Sequence, residues 1–87
     1  MTHSPEQLQT WMELALAEAT QAIEHGDVPI GAVLVDNNGT VVAADHNRRE
    51  QRKDPLAHAE MLVIAQAAGA EDWRLTDHTL VVTLEPC

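Results

Sequence analysis

Three side chains in this sequence could build a metal-dependent hydrolytic site: His58, Glu60 and Cys87. An imidazole nitrogen and a thiolate are ligands that Zn²⁺ prefers, and a catalytic zinc keeps one position for water. Zinc lowers the pKa of that water to about 7, and a nearby carboxylate can take its proton and return it to a leaving group. The residue types therefore indicate zinc-assisted hydrolysis, with His58 and Cys87 as metal ligands and Glu60 as the proton shuttle.

The predicted surroundings of these residues favour a shared ion. His58 lies in the first turn of a predicted helix, and Cys87 follows a predicted strand and Pro86, where a further helix would begin. Free N–H groups and the dipole at a helix start favour a thiolate. His58 and Glu60 are rotated by about 200° on a helix, but a metal beyond the helix end can be reached from either side. The alternative is a structural histidine and an inert buried cysteine; the two motifs together favour the metal site.

The first half of the chain predicts a helix and a hairpin. Ser4-Pro5 is typical of a helix start, and Gly26 of a helix end, so the helix should run to about Glu24. Short apolar strands over 32–35 and 40–44, joined by Asn-Gly turn chemistry, predict an antiparallel hairpin. The helix has an apolar face with three- and four-residue spacing: Leu8, Trp11, Met12, Ala15, Ala19, Ala22 and Ile23.

The second half predicts a loop, a helix and a strand. The polar stretch 45–54 is predicted as a loop. Asp54-Pro55 is typical of a helix start, with Gly69 at the helix end. Residues 79–84 predict a third strand, parallel to one hairpin strand because a helix separates them. The core face of this helix is predicted to contain Leu62, Ile64, Ala65 and Ala68.

Composition restricts the class of protein. Eighty-seven residues allow one domain, and 45% apolar residues without Phe or Tyr suit helices packed on a sheet. One cysteine fits a reducing compartment, and there is neither a membrane-length apolar run nor a signal pattern, so we expect a cytoplasmic protein.

The net charge of −9 opposes non-specific nucleic-acid binding, but the positive charge is concentrated. Four of the five Lys and Arg residues lie within six positions, and they form either a solvated loop or a local contact for RNA phosphates. These residues are Arg48, Arg49, Arg52 and Lys53.

These motifs resemble the zinc-dependent cytidine deaminase-like superfamily and, within it, the tRNA-specific adenosine deaminases that make inosine at the wobble position. The resemblance covers nearly the whole chain from the first helix onward. The segments that carry it are 27–35, 46–48, 54–60, 74–77 and 79–87.

The resemblance implies a fold, a cofactor and partners. The fold is α/β, a three-layer αβα arrangement of the cytidine deaminase type, here incomplete. The cofactor is Zn²⁺, bound by His58 and Cys87, with Glu60 as the catalytic acid and base. The partners are a tRNA anticodon stem-loop and, for the full-length protein, a second copy in a homodimer.

The resemblance also implies a substrate pocket. Asn47 is similar to the residue that hydrogen-bonds the target nucleoside. Ile30 and the backbone of Gly31 and Ala32 would line the pocket, and the basic cluster after Asn47 would lie at its rim, where it could contact phosphates.

The second cysteine of the P-C-x-x-C motif is absent. We therefore expect residues 1–87 to be the N-terminal part of a single deaminase domain, inactive alone because a lost ligand removes most metal affinity. Two alternatives stay open. One is a deaminase of free bases or nucleosides such as guanine or cytosine. The other is a non-catalytic fragment that pairs with a complementing chain through its apolar third strand.

Overall fold

The computed structural model of the chain describes residues 3–70 and 77–83. Among the helices in these ranges, none has the length and apolarity needed to cross a membrane. The elements in chain order are α1 (Pro5–Glu24), β1 (Gly31–Val35), β2 (Val41–His46), α2 (Arg49–Arg52), α3 (Ala59–Ala70) and β3 (Thr79–Val82).

The three described strands form one sheet in the order β2-β1-β3. β1 pairs antiparallel with β2, with Gly31 opposite His46, and antiparallel with β3, with Ala32 opposite Val82. All five residues of β1 are buried, which suits a central strand. The predicted hairpin is confirmed. β3 runs in the same direction as β2 but hydrogen-bonds to β1, so the parallel relation predicted for it holds in direction and not in pairing.

Helices cover both faces of this sheet. Val33 and Val35 of β1 pack with Trp11 and Ala15 of α1 on one face. The alternate residues of β1 pack against α3 on the other face, because successive strand side chains point to opposite sides. That second cluster contains Ala32, Leu34, Ala43, Ala59, Val63 and Ala67. The three-layer αβα class predicted from the sequence is therefore confirmed for the described residues.

The start and end of α1 match the prediction, but its buried face is narrower. Ser4 caps the helix: its hydroxyl accepts from the Gln7 N–H at 3.1 Å, and the Gln7 side chain accepts from the Ser4 N–H. Trp11 and three alanines are buried, whereas Leu8, Met12 and Ile23 are exposed. The small alanine side chains allow the helix axis to lie close to the sheet. The larger residues on either side of this buried row therefore stay outside the contact between helix and sheet.

The prediction for the second long helix was wrong in its start, its end and its buried face. α3 begins at Ala59, because the Asp54 carboxylate accepts from the Leu56 N–H at 2.9 Å and forms a turn instead of a helix cap. The helix continues through Gly69 to Ala70. Its buried residues are Ala59, Val63 and Ala67, while the predicted Ile64 is 43% exposed. The helix carries apolar residues around its whole circumference, so their spacing in the sequence does not identify the face that is buried.

The stretch 45–54 was predicted as a loop, but the structure contains regular elements there. Asp45 and His46 complete β2, and four residues form the short helix α2. Hydrophilic composition was misleading because Asp45 and His46 are buried and hydrogen-bonded within the protein. The predicted elements over 71–76 and 84–87 lie outside the described residues, and Cys87 is among them.

Candidate active site

One edge of the sheet collects most of the residues that the sequence singled out. β1 begins at this edge, and β2 and β3 end there, because both run antiparallel to β1. Ile30 and Gly31 lie at the start of β1, Asn47 follows β2, and Thr83 follows β3. The predicted pocket residues therefore come together at the same end of the sheet.

Asn47 joins this edge to the start of α3. Its side chain is buried, and its Oδ1 accepts a hydrogen bond from the Ala59 N–H at 2.9 Å. Its own N–H donates to the Ile30 carbonyl at 3.0 Å, and the Arg48 N–H donates to the Ala57 carbonyl at 2.9 Å. Residues 47 and 48 thus hold the beginning of β1 against the segment that leads into the helix.

His58 and Glu60 are presented by the N-terminus of α3. His58 immediately precedes the first helical residue, and its carbonyl accepts from the Leu62 N–H at 2.9 Å. Both residues are half-buried. The helix start lies at the same end of the sheet as Asn47, so the residues that carry this imidazole and this carboxylate flank the contact between Asn47 and Ala59. These are donor types that suit Zn²⁺ and its water.

Thr83 connects this edge to the segment that carries the predicted cysteine ligand. Its side chain is buried, and its Oγ1 accepts from the Gly31 N–H at 2.9 Å. The Thr83 N–H donates back to the Gly31 carbonyl at 2.9 Å. Sequence reasoning missed this residue, although its hydroxyl interrupts an apolar strand shortly before Glu85-Pro86-Cys87. Cys87 itself lies outside the described residues.

Close packing against α1 explains why position 31 is a glycine, and the sequence did not reveal this. A Cβ at this position would stand 1.9 Å from the Ala15 carbonyl oxygen and 2.7 Å from the Ala19 nitrogen. The glycine therefore lets α1 approach β1 closely. Of the three predicted pocket residues, Gly31 and Ala32 are buried and Ile30 is half-buried, so Ile30 has the side chain with more access to the surface.

The four predicted phosphate contacts divide into two groups. Arg48 is half-buried and bound to neighbouring side chains: its Nε donates to Asp45 Oδ1 at 2.8 Å, and its Nη1 donates to Gln51 Oε1 at 2.7 Å. The other three cations are exposed and lie on or just after α2. They are Arg49, Arg52 and Lys53.

The buried Asp27 fixes the position of α2. Its carboxylate accepts from the Glu50 N–H at 2.8 Å and from the Gln51 N–H at 3.2 Å, and the His25 imidazole lies 2.8 Å from it. Burial by itself raises the pKa of Asp27, but these hydrogen bonds and the neighbouring histidine outweigh it, so the pKa lies below the ordinary aspartate value.

A second group of possible metal ligands lies behind Asn47. Donor atoms of Glu18, Asp45 and His46 all fall within 4.8 Å of one another. His46 Nδ1 is 2.8 Å from Glu18 Oε1, and both Asp45 oxygens already accept hydrogen bonds. This cluster was not predicted, because no spacing in the sequence marks it. Its atoms satisfy one another, as expected of a buried polar network.

Comparison with known proteins identifies the family. Residues 5–87 match the cytidine and deoxycytidylate deaminase zinc-binding region. The chain therefore belongs to this family of zinc deaminases, as the His58-x-Glu60 and Pro86-Cys87 motifs indicated.

Individual relatives are more specific. The chain is 55% identical over 78 residues to the tRNA-specific adenosine deaminase of Bacillus subtilis, covering 88% of this chain and 48% of that protein. A structure solved in studies of A-to-I editing by tRNA:A34 deaminases at the wobble position superposes with a TM-score of 0.81 at 49% identity, covering 91% of this chain and 61% of the other. The X-ray structure of guanine deaminase from Bacillus subtilis gives a TM-score of 0.80 at 31% identity, covering all of this chain and 53% of the other.

The chain spans about half the length of the curated relatives it matches. The similarity to these relatives supports the resemblance to the tRNA-specific adenosine deaminases that the sequence motifs indicated.

Proposed function

We propose that this chain provides the zinc-binding and nucleoside-binding part of a deaminase that converts adenosine to inosine at the wobble position of tRNA. The observation that carries this proposal is the contact between Asn47 and Ala59. It brings the predicted nucleoside-binding residue to the start of the helix that presents His58 and Glu60. The similarity to tRNA-specific adenosine deaminases supports the choice of substrate.

Each residue has a defined task in this proposal. His58 and Cys87 hold the zinc, which when bound supplies an activated water. The Glu60 carboxylate would serve as the proton acceptor and donor of the site, returning a proton to the amine that leaves the adenine ring. Asn47 and Ile30 hold the flipped base at the end of the sheet. Glu60 lies two residues from His58, so the proton acceptor is attached to the same helix terminus as a metal ligand.

The test uses the longest natural protein that contains these 87 residues. We expect His58→Ala to lower the zinc content, measured by plasma emission spectrometry, and to abolish inosine formation in an anticodon stem-loop. Glu60→Gln should retain zinc and lose at least 10²-fold in kcat, as expected for a general acid–base residue. His3→Gln is the matched control, since His3 contacts Thr79 and Trp11 away from this edge. Full zinc retention in His58→Ala would contradict the ligand assignment.

The same measurements on the isolated 87-residue chain address its own competence. One tightly bound zinc per chain would mean that His58, Cys87 and a further ligand complete a site without additional sequence. Zinc binding that returns only on co-expression with a complementing fragment would favour the paired-chain alternative.

Deamination of a free base is the second candidate, because the guanine deaminase structure superposes on the whole chain. Parallel assays with an anticodon stem-loop, guanine, cytosine and adenosine separate the two functions. Turnover of the stem-loop at least 10²-fold above that of every free compound would support tRNA as substrate. Preferential turnover of guanine would assign the chain to the second class.

The proposal includes a homodimer in the cytoplasm with tRNA as partner. Apolar side chains on the outer surfaces of the helices, such as Met61 and Ile64 of α3 and Leu16 of α1, are 43–51% exposed. Such surfaces favour coverage by further protein. Light scattering on the longest natural protein tests this part, since a monomer at micromolar concentration would contradict it.

A further inference from the structure

Asp45 connects three parts of the protein through one buried carboxylate. The residue is 4% exposed. Its Oδ1 accepts from the His46 N–H and from Arg48 Nε, each at 2.8 Å, and its Oδ2 accepts from Gln66 Nε2 at 2.8 Å. Burying a carboxylate is unfavourable unless it is paired and hydrogen-bonded. Here both carboxylate oxygens accept hydrogen bonds, and one of the three donors is the positively charged Arg48.

The partners of Asp45 lie on both sides of the proposed nucleoside-binding residue. Asn47 stands between His46 and Arg48 in the sequence, and both of these residues donate to Asp45. Gln66 lies on α3, the helix whose first residue, Ala59, donates to Asn47. The segment 45–47 is therefore bound to α3 at two points, through Asn47 and through Asp45.

The separation of these two points matters for orientation. Ala59 and Gln66 are seven residues apart, which is about 10 Å along a helix axis. A single hydrogen bond at the helix start would allow the helix to tilt about that contact. A second one, two turns further on, fixes the direction of the axis and hence the place of the side chains at its N-terminus.

We propose that Asp45 is a positioning residue: through Arg48 and Gln66 it sets the orientation of α3, and with it His58 and Glu60, relative to Asn47. This inference rests on the proposed deaminase function. Asp45 does not touch the reacting groups itself, since its oxygens are taken by Arg48, His46 and Gln66. Its effect on the reaction is geometric.

Two substitutions test the positioning role of Asp45, because together they exchange the carboxylate at position 45 and the amide at position 66. Gln66→Glu places a second carboxylate at hydrogen-bond distance from Asp45, where two like charges repel. Asp45→Asn combined with Gln66→Glu gives an amide donor facing a carboxylate, which restores the pair. Gln21→Glu, on the exposed surface of α1, is the matched control because it makes the same chemical change at another exposed helix position, away from Asp45.

The expected results follow from the loss of orientation. In the longest natural protein, Gln66→Glu should lower kcat by about 10-fold to 100-fold, as changes behind a metal site do. KM should change less than 3-fold, and the double variant should recover kcat to within about 3-fold of the starting protein. Gln21→Glu should keep both parameters. An unchanged kcat in Gln66→Glu, or a double variant that regains its melting temperature without regaining kcat, would overturn the proposal.

A second readout does not depend on the assigned reaction. Hydrogen exchange at the Ala59 amide reports its bond to Asn47 directly. Exchange should accelerate at least 10-fold in Gln66→Glu and slow again in the double variant. If the starting protein does not deaminate the stem-loop, the proposed function fails while this measurement still decides the positioning role. An Ala59 amide that exchanges equally in all variants would refute it.

Discussion

The Asn47 side chain accepts a hydrogen bond from the backbone N–H of Ala59 at 2.9 Å, so one buried amide joins the end of β2 to the start of α3. The contact gives Asn47 a structural duty in addition to the proposed nucleoside contact. The first N–H groups of a helix lack partners within the helix, and here a residue distant in sequence supplies the acceptor.

Substitutions of Asn47 should separate these two duties. Asn47→Ala removes the acceptor and should lower the free energy of unfolding by about 1–2 kcal/mol, as the loss of a helix cap does. Asn47→Asp keeps an acceptor and adds a charge that the helix dipole favours, so stability should be retained while the amide donor to the base is lost. Urea unfolding and stem-loop deamination measure the two effects. Equal stability of both variants would contradict the capping role.

Gly31→Ala should destabilise the protein through contact with α1. The new Cβ would meet backbone atoms of Ala15 and Ala19, which cannot move aside as a flexible side chain would. Overpacking of this kind costs about 1–3 kcal/mol. The matched control is Gly69→Ala, since a Cβ there meets nothing within 4 Å and Gly69 lies inside α3.

The control should be neutral or should stabilise the protein by up to about 1 kcal/mol, because alanine favours helix more than glycine does. Thermal unfolding followed by circular dichroism compares the two variants. A Gly31→Ala protein that melts with or above Gly69→Ala would show that α1 can shift away without cost.

The sequence predicted most of the architecture, because the decisive signals are local. Ser4 with Gln7 marks the start of α1, and the Asn38-Gly39 turn marks the hairpin; both are confirmed, with Gly39 at a φ of 83°. The His58-x-Glu60 motif located the candidate site, and the structure places it at the end of the sheet beside Asn47. These features depend on residues close together in the chain.

One failure concerns two competing local signals, and the others concern contacts between distant residues. Asp54-Pro55 carries a helix-start signal, but the Asp54 side chain closes a turn and α3 starts five residues later. Asp45 and His46 read as loop because their polar groups find partners, such as Glu18 and Gln66, that only the fold brings near. Likewise, the need for glycine at position 31 arises from Ala15 and Ala19 of α1, which lie more than ten positions earlier.

Asp27→Asn should change how stability depends on pH. The pKa of Asp27 in the folded protein is below its ordinary value of about 3.9, because N–H groups of Glu50 and Gln51 and the His25 imidazole favour the charged form. A carboxylate with a depressed pKa stabilises the folded state above its ordinary pKa. That contribution disappears as the pH falls through the lower folded value.

We therefore expect the starting protein to lose stability as the pH drops from about 5 to below 4, and Asp27→Asn to be less stable at pH 7 with a shallower loss on acidification. Urea unfolding between pH 3 and pH 7 measures this. Glu24→Gln, at an exposed position at the end of α1, is the control, and its slope should follow the starting protein. A slope unchanged by Asp27→Asn would mean that the charge on Asp27 does not support the fold.

Arg49 and Arg52 should contribute to tRNA binding in a salt-dependent way. Both are exposed on α2, whereas Arg48 is bound to Asp45 and Gln51. A plot of log affinity against log salt concentration has a negative slope, and each phosphate contact that is lost reduces its magnitude by about 0.7–0.9. The Arg49→Ala and Arg52→Ala double variant should therefore lower this slope by up to about 2 in anticodon stem-loop binding, with stability unchanged to within about 0.5 kcal/mol.

Arg48→Ala should behave differently, because it removes the cation that neutralises a buried carboxylate. We expect it to lower the free energy of unfolding by more than 1 kcal/mol, about the range for breaking a hydrogen bond to a charged group. Fluorescence anisotropy at several salt concentrations, together with urea unfolding, distinguishes the two kinds of arginine. A double variant with an unaltered salt slope would mean that α2 does not contact the RNA backbone and that its charge serves only solvation.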